Sequence, residues 1–208
     1  MIQGSHSLVN QFVLLWVVME PITVVTLFVG LTGELTEAER RRVSLIAVLV
    51  AGAVILFFIV AGQLLLQALN VDLIAFQIAG GIILFAFSMM MILGRVDEPP
   101  PTRDGSGKPN VTELAIFPLA TPILAGPGTL LAVILLTDRT RFSATDNVET
   151  AGVAALVLAI IYGMLLAAYP IHRFVGAAGS HVVTRVAGLV LAAIAANVTL
   201  SALRTYFG

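Results

Sequence analysis

The sequence predicts an all-α integral membrane protein with six transmembrane helices in two inverted three-helix repeats, and with interrupted first and fourth helices. Hydrophobic residues make up 59 % of the 208-residue chain, and charged residues only 11 %. The mean hydropathy of +1.02 is far above that of water-soluble domains. Six apolar windows and an internal repeat, described below, complete the prediction.

Charge and composition exclude several classes of protein. A net charge of −1 gives no basic footprint for nucleic acid, and the absence of cysteine excludes disulfides and thiolate metal sites. No nucleophile and base set, phosphate loop or metal-ligand spacing is visible, so we expect neither an enzyme nor a bound cofactor or metal. The expected partners are the lipid bilayer and a small-molecule substrate. Proton or cation coupling and the oligomeric state stay open.

Six apolar windows are long enough to cross a bilayer, which takes about 20 residues. They cover 8–31, 43–66, 73–93, 114–136, 151–169 and 182–203. The polar stretch 95–113 is rich in Pro and Gly and reads as a solvated linker. We therefore expect one membrane domain over 1–208, with repeat 1 at 8–94 and repeat 2 at 114–207. The residues before the first window contain no basic residue, so we do not expect a cleaved signal peptide.

The distribution of basic residues predicts the orientation, because basic loops stay in the cytoplasm. With the N-terminus outside, the inner loops hold eight basic residues: Arg40, Arg41, Arg42, Arg95, Arg103, Lys108, Arg173 and Arg185. The outer side holds three: Arg139, Arg141 and Arg204. We therefore expect a multi-pass membrane protein with both termini on the exterior or periplasmic side.

Two polar patterns predict where helices begin. Thr36 followed by Glu39 is a capping box, which indicates the start of the second span. Asp72 precedes the third apolar window and is a suitable N-cap.

The two halves of the chain resemble each other. Residues 77–84 align with 185–192 at a shift of 108, and Glu20-Pro21 aligns with Thr121-Pro122 at a shift of 101. A repeat with three spans crosses the membrane an odd number of times, so its second copy is inverted. Inverted repeats with broken helices that meet near the bilayer centre are typical of secondary transporters.

The fourth span contains five helix-breaking residues: Pro118, Pro122, Gly126, Pro127 and Gly128. Each interior proline costs a helix about 3 kcal/mol or more, and a break at membrane depth requires protein or a wet cavity around it. One interpretation is a kinked helix that only packs. The other is a cavity lining, in which Thr121 or Thr129 caps a half-helix whose positive end attracts an anionic group.

Glu20 lies near the middle of the first span, beside Pro21. An ionised acid at that depth costs about 2.5 kcal/mol or several times more. One interpretation is a neutral acid that is hydrogen-bonded by Asn197 or Gln77. The other is a proton or cation site, or a counter-charge for a substrate ammonium, with Glu20 as the N-cap of a second half-helix. Asn197 is the next best polar candidate inside a span.

The motif Phe-Pro-Leu-Ala-Thr-Pro-Ile-Leu-Ala-Gly-Pro-Gly at 117–128 resembles the MarC family of bacterial inner-membrane proteins. The resemblance extends to Ala-Gly-Gly-Ile-Ile-Leu-Phe at 79–85 and to the linker between the halves. The family looks related to the amino-acid exporters of the LysE superfamily, so the resemblance implies a transporter. The chain departs from the family's first-span motif, Asp-Pro-x-Gly-x-x-Pro, at Glu20, Thr23 and Thr26.

These observations favour a secondary transporter or exporter of a small polar, amino-acid-like metabolite. We expect Glu20 and Asn197 to contact substrate or protons. The remaining residues expected along the pathway are Pro21, Thr121, Pro122, Gly126, Pro127, Gly128 and Thr129. The alternative is a non-transporting membrane scaffold or regulatory protein, in which the breaks only pack.

Overall fold

A computed structural model describes residues 8–94, 109–137 and 144–207, and the regular structure within them is helical. The helices are α1 Leu8–Met19, α2 Pro21–Leu31, α3 Glu37–Ala68, α4 Leu73–Leu93, α5 Val111–Leu114, α6 Pro127–Leu136, α7 Ala144–Leu166 and α8 Ala168–Phe207. The stretch Ala115–Leu124 between α5 and α6 is wound irregularly, and we call it the irregular segment. Residues 1–7, most of the predicted linker, and Arg139 and Arg141 lie outside the described ranges.

The lengths and composition of the helices give five membrane spans, and six when a bent pair is counted as one span. Five helical stretches are long and apolar enough to cross a membrane: Leu8–Leu31, Glu37–Ala68, Leu73–Leu93, Asn147–Leu166 and His181–Phe207. The sixth is the pair Val111–Leu124 and Pro127–Leu136, which is bent by 54°. The protein is therefore an all-α integral membrane protein, as the composition predicts.

Both predicted helix starts are confirmed. Glu39 accepts a hydrogen bond from the Thr36 N–H at 2.7 Å, and the Thr36 hydroxyl accepts one from the Glu39 N–H at 3.4 Å. Asp72 accepts from the Ile74 N–H at 3.1 Å at the start of α4. These caps satisfy N–H groups that have no partner within the helix.

The sixth span is preceded by a further helical part that the sequence does not predict. α8 consists of two helical parts joined at a kink at Gly176, whose φ of 70° and ψ of 165° are not helical. The span itself is His181–Phe207. Tyr169, expected at the end of the fifth span, is in the first turn of α8.

Helix packing shows the pairing that an inverted duplication produces. α3 packs on α7, and α4 packs on α8. The contact of α1 with α7 corresponds to that of the irregular segment with α3, and the contact of α2 with α8 to that of α6 with α4. α1 also packs on α6 while α2 packs on the irregular segment, so the two broken spans lie side by side. The repeat boundaries stay a prediction.

The first span is the most enclosed of the five. In its most apolar window 56 % of residues are buried, against 28 % for the third span and 22 % for the sixth. The first span is therefore surrounded by the other helices, whereas much of α4 and α8 faces outward. A break in the first span lies in the protein interior.

Candidate functional site at the two helix breaks

The first break is one residue wide and lies at Glu20. This residue has a φ of 48° and a ψ of 60°, a left-handed conformation that glutamate rarely adopts. Pro21 then begins α2, which suits it because proline has no N–H to leave without a partner. The Glu20 carbonyl accepts the first hydrogen bond of α2, from the Val24 N–H at 3.0 Å. The predicted interruption is confirmed, and Glu20 is in the N-cap position.

The Glu20 side chain is 7 % exposed, and neither carboxyl oxygen has a hydrogen-bond partner among the residues that the structure describes. The Thr23 side chain makes a polar contact with the carboxyl, but this contact lies outside hydrogen-bond geometry. Neither Asn197 nor Gln77, the predicted partners, bonds to it. A buried carboxyl without partners is costly whether it is neutral or ionised. The carboxyl therefore has hydrogen-bonding capacity that no described residue uses.

A cavity of about 170 Å³ lies beside this carboxyl. Its walls come from the first break and from α8, and its lining includes Trp16, Glu20, Pro21, Thr23, Val183, Ala187 and Val190. Beside it, the hydroxyls of Thr23 and Thr184 are 3.5 Å apart, which links α2 to α8. The cavity therefore lies between the first span and α8.

The second break begins in the irregular segment. Phe117 and Thr121 have extended backbone, with φ and ψ of −131° and 122° and of −132° and 129°. Each precedes a proline, Pro118 or Pro122, and a residue before proline is pushed toward the extended region. The Thr121 hydroxyl donates to the Ile116 carbonyl at 3.3 Å. The predicted interruption of the fourth helix is confirmed.

The break ends at Gly126, which has extended backbone and is the N-cap of α6, with Pro127 as the first helical residue. A Cβ atom on Gly126 would lie 2.2 Å from the Pro122 carbonyl oxygen, and one on Gly128 would lie 2.7 Å from Leu84 Cδ1. Gly126 therefore requires glycine, because a backbone atom cannot move aside, whereas at Gly128 the end of the Leu84 side chain would have to shift.

No side chain caps α6. The prediction that Thr121 or Thr129 does so is therefore wrong, because Thr121 bonds within the irregular segment and Thr129 lies inside the first turn. Thr129 is fully buried, and its hydroxyl has no hydrogen-bond partner among the described residues.

The two half-helices correspond in a register that differs from the predicted one. The N-cap and first turn of α2 read Glu-Pro-Ile-Thr, with Glu20 as the N-cap. Those of α6 read Gly-Pro-Gly-Thr, with Gly126 as the N-cap. The equivalent of Glu20-Pro21 is therefore Gly126-Pro127, and the alignment on Thr121-Pro122 is wrong. The shared Pro-x-Thr spacing is a sequence signal that would have indicated this register.

The ends of the two half-helices also correspond. Both end at a Leu-Thr pair, and the threonine is the C-cap. The hydroxyl of Thr32 donates to the Phe28 carbonyl at 2.6 Å, and that of Thr137 donates to the Val133 carbonyl at 2.9 Å. α2 and α6 are therefore equivalent half-helices, and each has its positive end at a break.

The predicted site residues are only partly brought together. Glu20 and Pro21 line the cavity, whereas residues 121–129 do not. Asn197 is exposed on the surface of α8 and is also absent from the cavity lining. Asn197 lies seven residues beyond Val190, on nearly the same face of α8 but about 10 Å farther along the helix axis. The residues of α8 that reach the cavity are Val183, Ala187 and Val190. Sequence reasoning had identified Thr23 only as a departure from the family motif, and it had not singled out the three residues of α8.

Comparison with known proteins identifies the family. No solved structure matches the chain. A UPF0056 membrane protein of Methanocaldococcus jannaschii is 31 % identical over 188 residues, which cover 90 % of this chain and 91 % of that protein. The UPF0056 inner membrane protein MarC of Escherichia coli is 31 % identical over 201 residues, covering 89 % of this chain and 90 % of that protein. The family model for MarC family integral membrane proteins matches residues 5–207, and the chain therefore belongs to the MarC family.

Proposed function

We propose that this protein is a secondary transporter or exporter of a small polar, amino-acid-like metabolite across the inner membrane, and that its substrate binds in the cavity beside Glu20. One observation carries the proposal. The buried Glu20 carboxyl has no hydrogen-bond partner among the described residues and lines a cavity between the first span and α8. Acidic groups inside membrane spans generally mark pathways for substrates, ions or protons.

The chemistry of the cavity suits a substrate with both an ammonium and a carboxylate group. The Glu20 carboxyl can accept hydrogen bonds from an ammonium group. The first turn of α2, which includes the cavity residue Thr23, has N–H groups without partners in the helix and a positive end that attracts a carboxylate. A small amino acid carries both groups on one carbon atom.

The size of the cavity limits the substrate. Its volume is about 170 Å³, and an engineered cavity of about 150 Å³ binds benzene. We therefore expect small side chains on the substrate. In this proposal Glu20 can also carry the coupling proton or cation, because the same carboxyl is open to each.

Counterflow of labelled amino acids into vesicles that contain the purified protein tests the proposal. We expect small neutral amino acids to exchange. We also expect Val190→Phe to lower the flux about tenfold or more, because the larger side chain takes the space of the substrate. Overpacking costs about 1–3 kcal/mol, and each 1.4 kcal/mol corresponds to a factor of about ten in binding. The matched control is Val186→Phe, because Val186 lies on the same helix, is 53 % exposed and does not line the cavity.

Two results would overturn the proposal. An absence of flux across a broad panel would favour the membrane scaffold instead. Equal loss of flux in both variants would show that a phenylalanine anywhere on α8 disturbs the protein and that the cavity is not the site.

A further inference from the structure

A second cavity, of about 270 Å³, lies where α2 ends and α3 begins, next to the junction of α7 and α8. One wall is polar and includes Glu37, Arg40, Arg41 and Tyr169. The opposite wall is apolar and includes Phe28 and Leu165. Several spans end or begin here, so this cavity lies at the level where hydrocarbon gives way to lipid headgroups.

The guanidinium of Arg40 is held in one orientation. Its Nε donates to the Thr32 carbonyl at 3.1 Å, and its Nη2 donates to the Gly33 carbonyl at 3.3 Å. The centre of the group lies 3.8 Å from the Tyr169 ring centroid, and the Tyr169 hydroxyl donates to the same Thr32 carbonyl at 3.2 Å. A guanidinium has five N–H groups, so these two bonds leave three for a ligand. The guanidinium of Arg40 is therefore already oriented, and it has N–H groups left to donate to a ligand.

The residues that line this cavity carry more positive than negative charge. The carbonyls that hold Arg40 are neutral, and Arg41 forms a salt bridge with Glu37 at 2.5 Å. That pair is 68 % and 77 % exposed, so it contributes little. Two guanidinium groups and one carboxylate therefore line the cavity and leave a net positive charge.

We propose that this cavity binds a phosphate group, and specifically the headgroup phosphate of an anionic phospholipid. A guanidinium fork matches phosphate oxygens in geometry and charge. The apolar wall suits the glycerol and acyl part of a lipid, and basic pockets between membrane helices hold such headgroups in other proteins. The distribution of basic residues predicts that this side is cytoplasmic.

The test uses the purified full-length protein in detergent, with native mass spectrometry as the binding measurement. The probes are dihexanoyl phosphatidylglycerol, dihexanoyl phosphatidylcholine and inorganic phosphate. We expect phosphatidylglycerol to bind and phosphatidylcholine to bind weakly. Arg41→Gln should weaken binding about tenfold, which corresponds to about 1.4 kcal/mol. Arg42→Gln is the matched control, because Arg42 is the next residue, is exposed and does not line the cavity.

Equal loss in Arg41→Gln and Arg42→Gln, or equal binding of the two lipids, would overturn the proposal, because either would show only a general attraction. Inorganic phosphate that binds as tightly as phosphatidylglycerol would support the phosphate site and assign it to a soluble anion. Arg40→Lys keeps the charge but loses the fork, so it should also weaken binding. Arg41→Gln still gives the answer if Arg40→Lys does not fold.

Discussion

Buried polar side chains fall into two groups according to whether they find a partner. Thr32 and Thr137 bond to carbonyls of their own helices, which is how a hydroxyl is usually accommodated in an apolar environment. Four buried side-chain atoms have no partner among the described residues, and three of them are at the breaks: both carboxyl oxygens of Glu20 and the hydroxyl of Thr129. The fourth is Asn147 Oδ1. Open polar groups are thus concentrated where the two broken spans are interrupted.

Replacement of Thr129 tests whether its hydroxyl is truly without a partner. An unsatisfied buried polar group costs about 1–3 kcal/mol, so Thr129→Val should leave the melting temperature unchanged or raise it. Thr137→Val is the control, since it removes a real hydrogen bond and should destabilise the protein by about 1 kcal/mol. Thermal unfolding in detergent measures both. An equal drop in the two variants would mean that the Thr129 hydroxyl has a partner.

The sequence indicated some of these side chains and missed others. Glu20 stands out because a carboxyl in an apolar window is conspicuous in any sequence. Thr129 was identified through the prolines around it, but its lack of a partner depends on packing. Asn197 was misleading because its polarity says nothing about its distance along α8 from the cavity, which is about 10 Å beyond Val190.

The half-helices α2 and α6 share a proline in first position but differ at the N-cap. Glu20 has a left-handed backbone, whereas Gly126 has an extended backbone that lies against the Pro122 carbonyl. The glycines at the second break are therefore explained by close approach. Both breaks interrupt a membrane span, but the backbone of the N-cap residue is left-handed at the first break and extended at the second.

A graded glycine series tests the geometry of the second break. A Cβ on Gly126 meets a backbone carbonyl, one on Gly128 meets a mobile leucine end, and one on Gly152 meets nothing within 4 Å. We expect Gly126→Ala to lower stability by about 1–3 kcal/mol or more, and Gly128→Ala to lower it less. Gly152→Ala is the control and should be neutral or stabilising, because alanine favours a helix over glycine by about 1 kcal/mol. Thermal unfolding in one detergent ranks the three, and a reversed order would contradict the geometry.

The sequence predicted the two breaks but not their register. Pro21 can be aligned with either Pro122 or Pro127, and both alignments put a proline inside a broken span. Only the structure shows which proline begins a half-helix, because Pro122 is inside the irregular segment and Pro127 is the first residue of α6. Local propensity predicts where a helix breaks, whereas the choice among neighbouring prolines depends on contacts such as that between Gly126 and Pro122.

The two halves are joined most closely where α4 packs on α8. A Cβ on Gly81 would lie 3.4 Å from the Thr199 Cβ and 2.2 Å from its hydroxyl oxygen, so the two helices approach closely there. Small residues at such crossings allow membrane helices to pack backbone to backbone. The third and sixth spans thus join the two halves of the chain.

A disulfide between these helices tests the pairing of the two halves. Disulfides need Cβ atoms about 3.5–4.5 Å apart, so the double variant Gly81→Cys and Thr199→Cys should cross-link on mild oxidation. The chain has no cysteine of its own to interfere. Gly163→Cys with Thr199→Cys is the control, since a Cβ on Gly163 meets nothing within 4 Å. Peptide mapping by mass spectrometry reads the result, and a cross-link in the control alone would contradict the packing of α4 on α8.

The space beside the first break differs from the space beside the second, although the helices pair symmetrically. Beside α2 there is a cavity against α8, whereas Gly128 in α6 packs directly against Leu84 of α4. The six spans and their order followed from hydropathy, which depends on composition alone. The difference between the two breaks could not be predicted from hydropathy, because it depends on which side chains fill the space between two particular helices.

Flux and stability of Glu20→Gln, measured on the same preparation, test whether the Glu20 carboxyl serves a ligand or the fold. Its oxygens bond to no described residue, so we expect the variant to unfold at the wild-type temperature or above it while counterflow is lost. Glu149→Gln is the matched control, because Glu149 is exposed, and it should keep both properties. Retained flux, or a large fall in the unfolding temperature together with lost flux, would contradict this account.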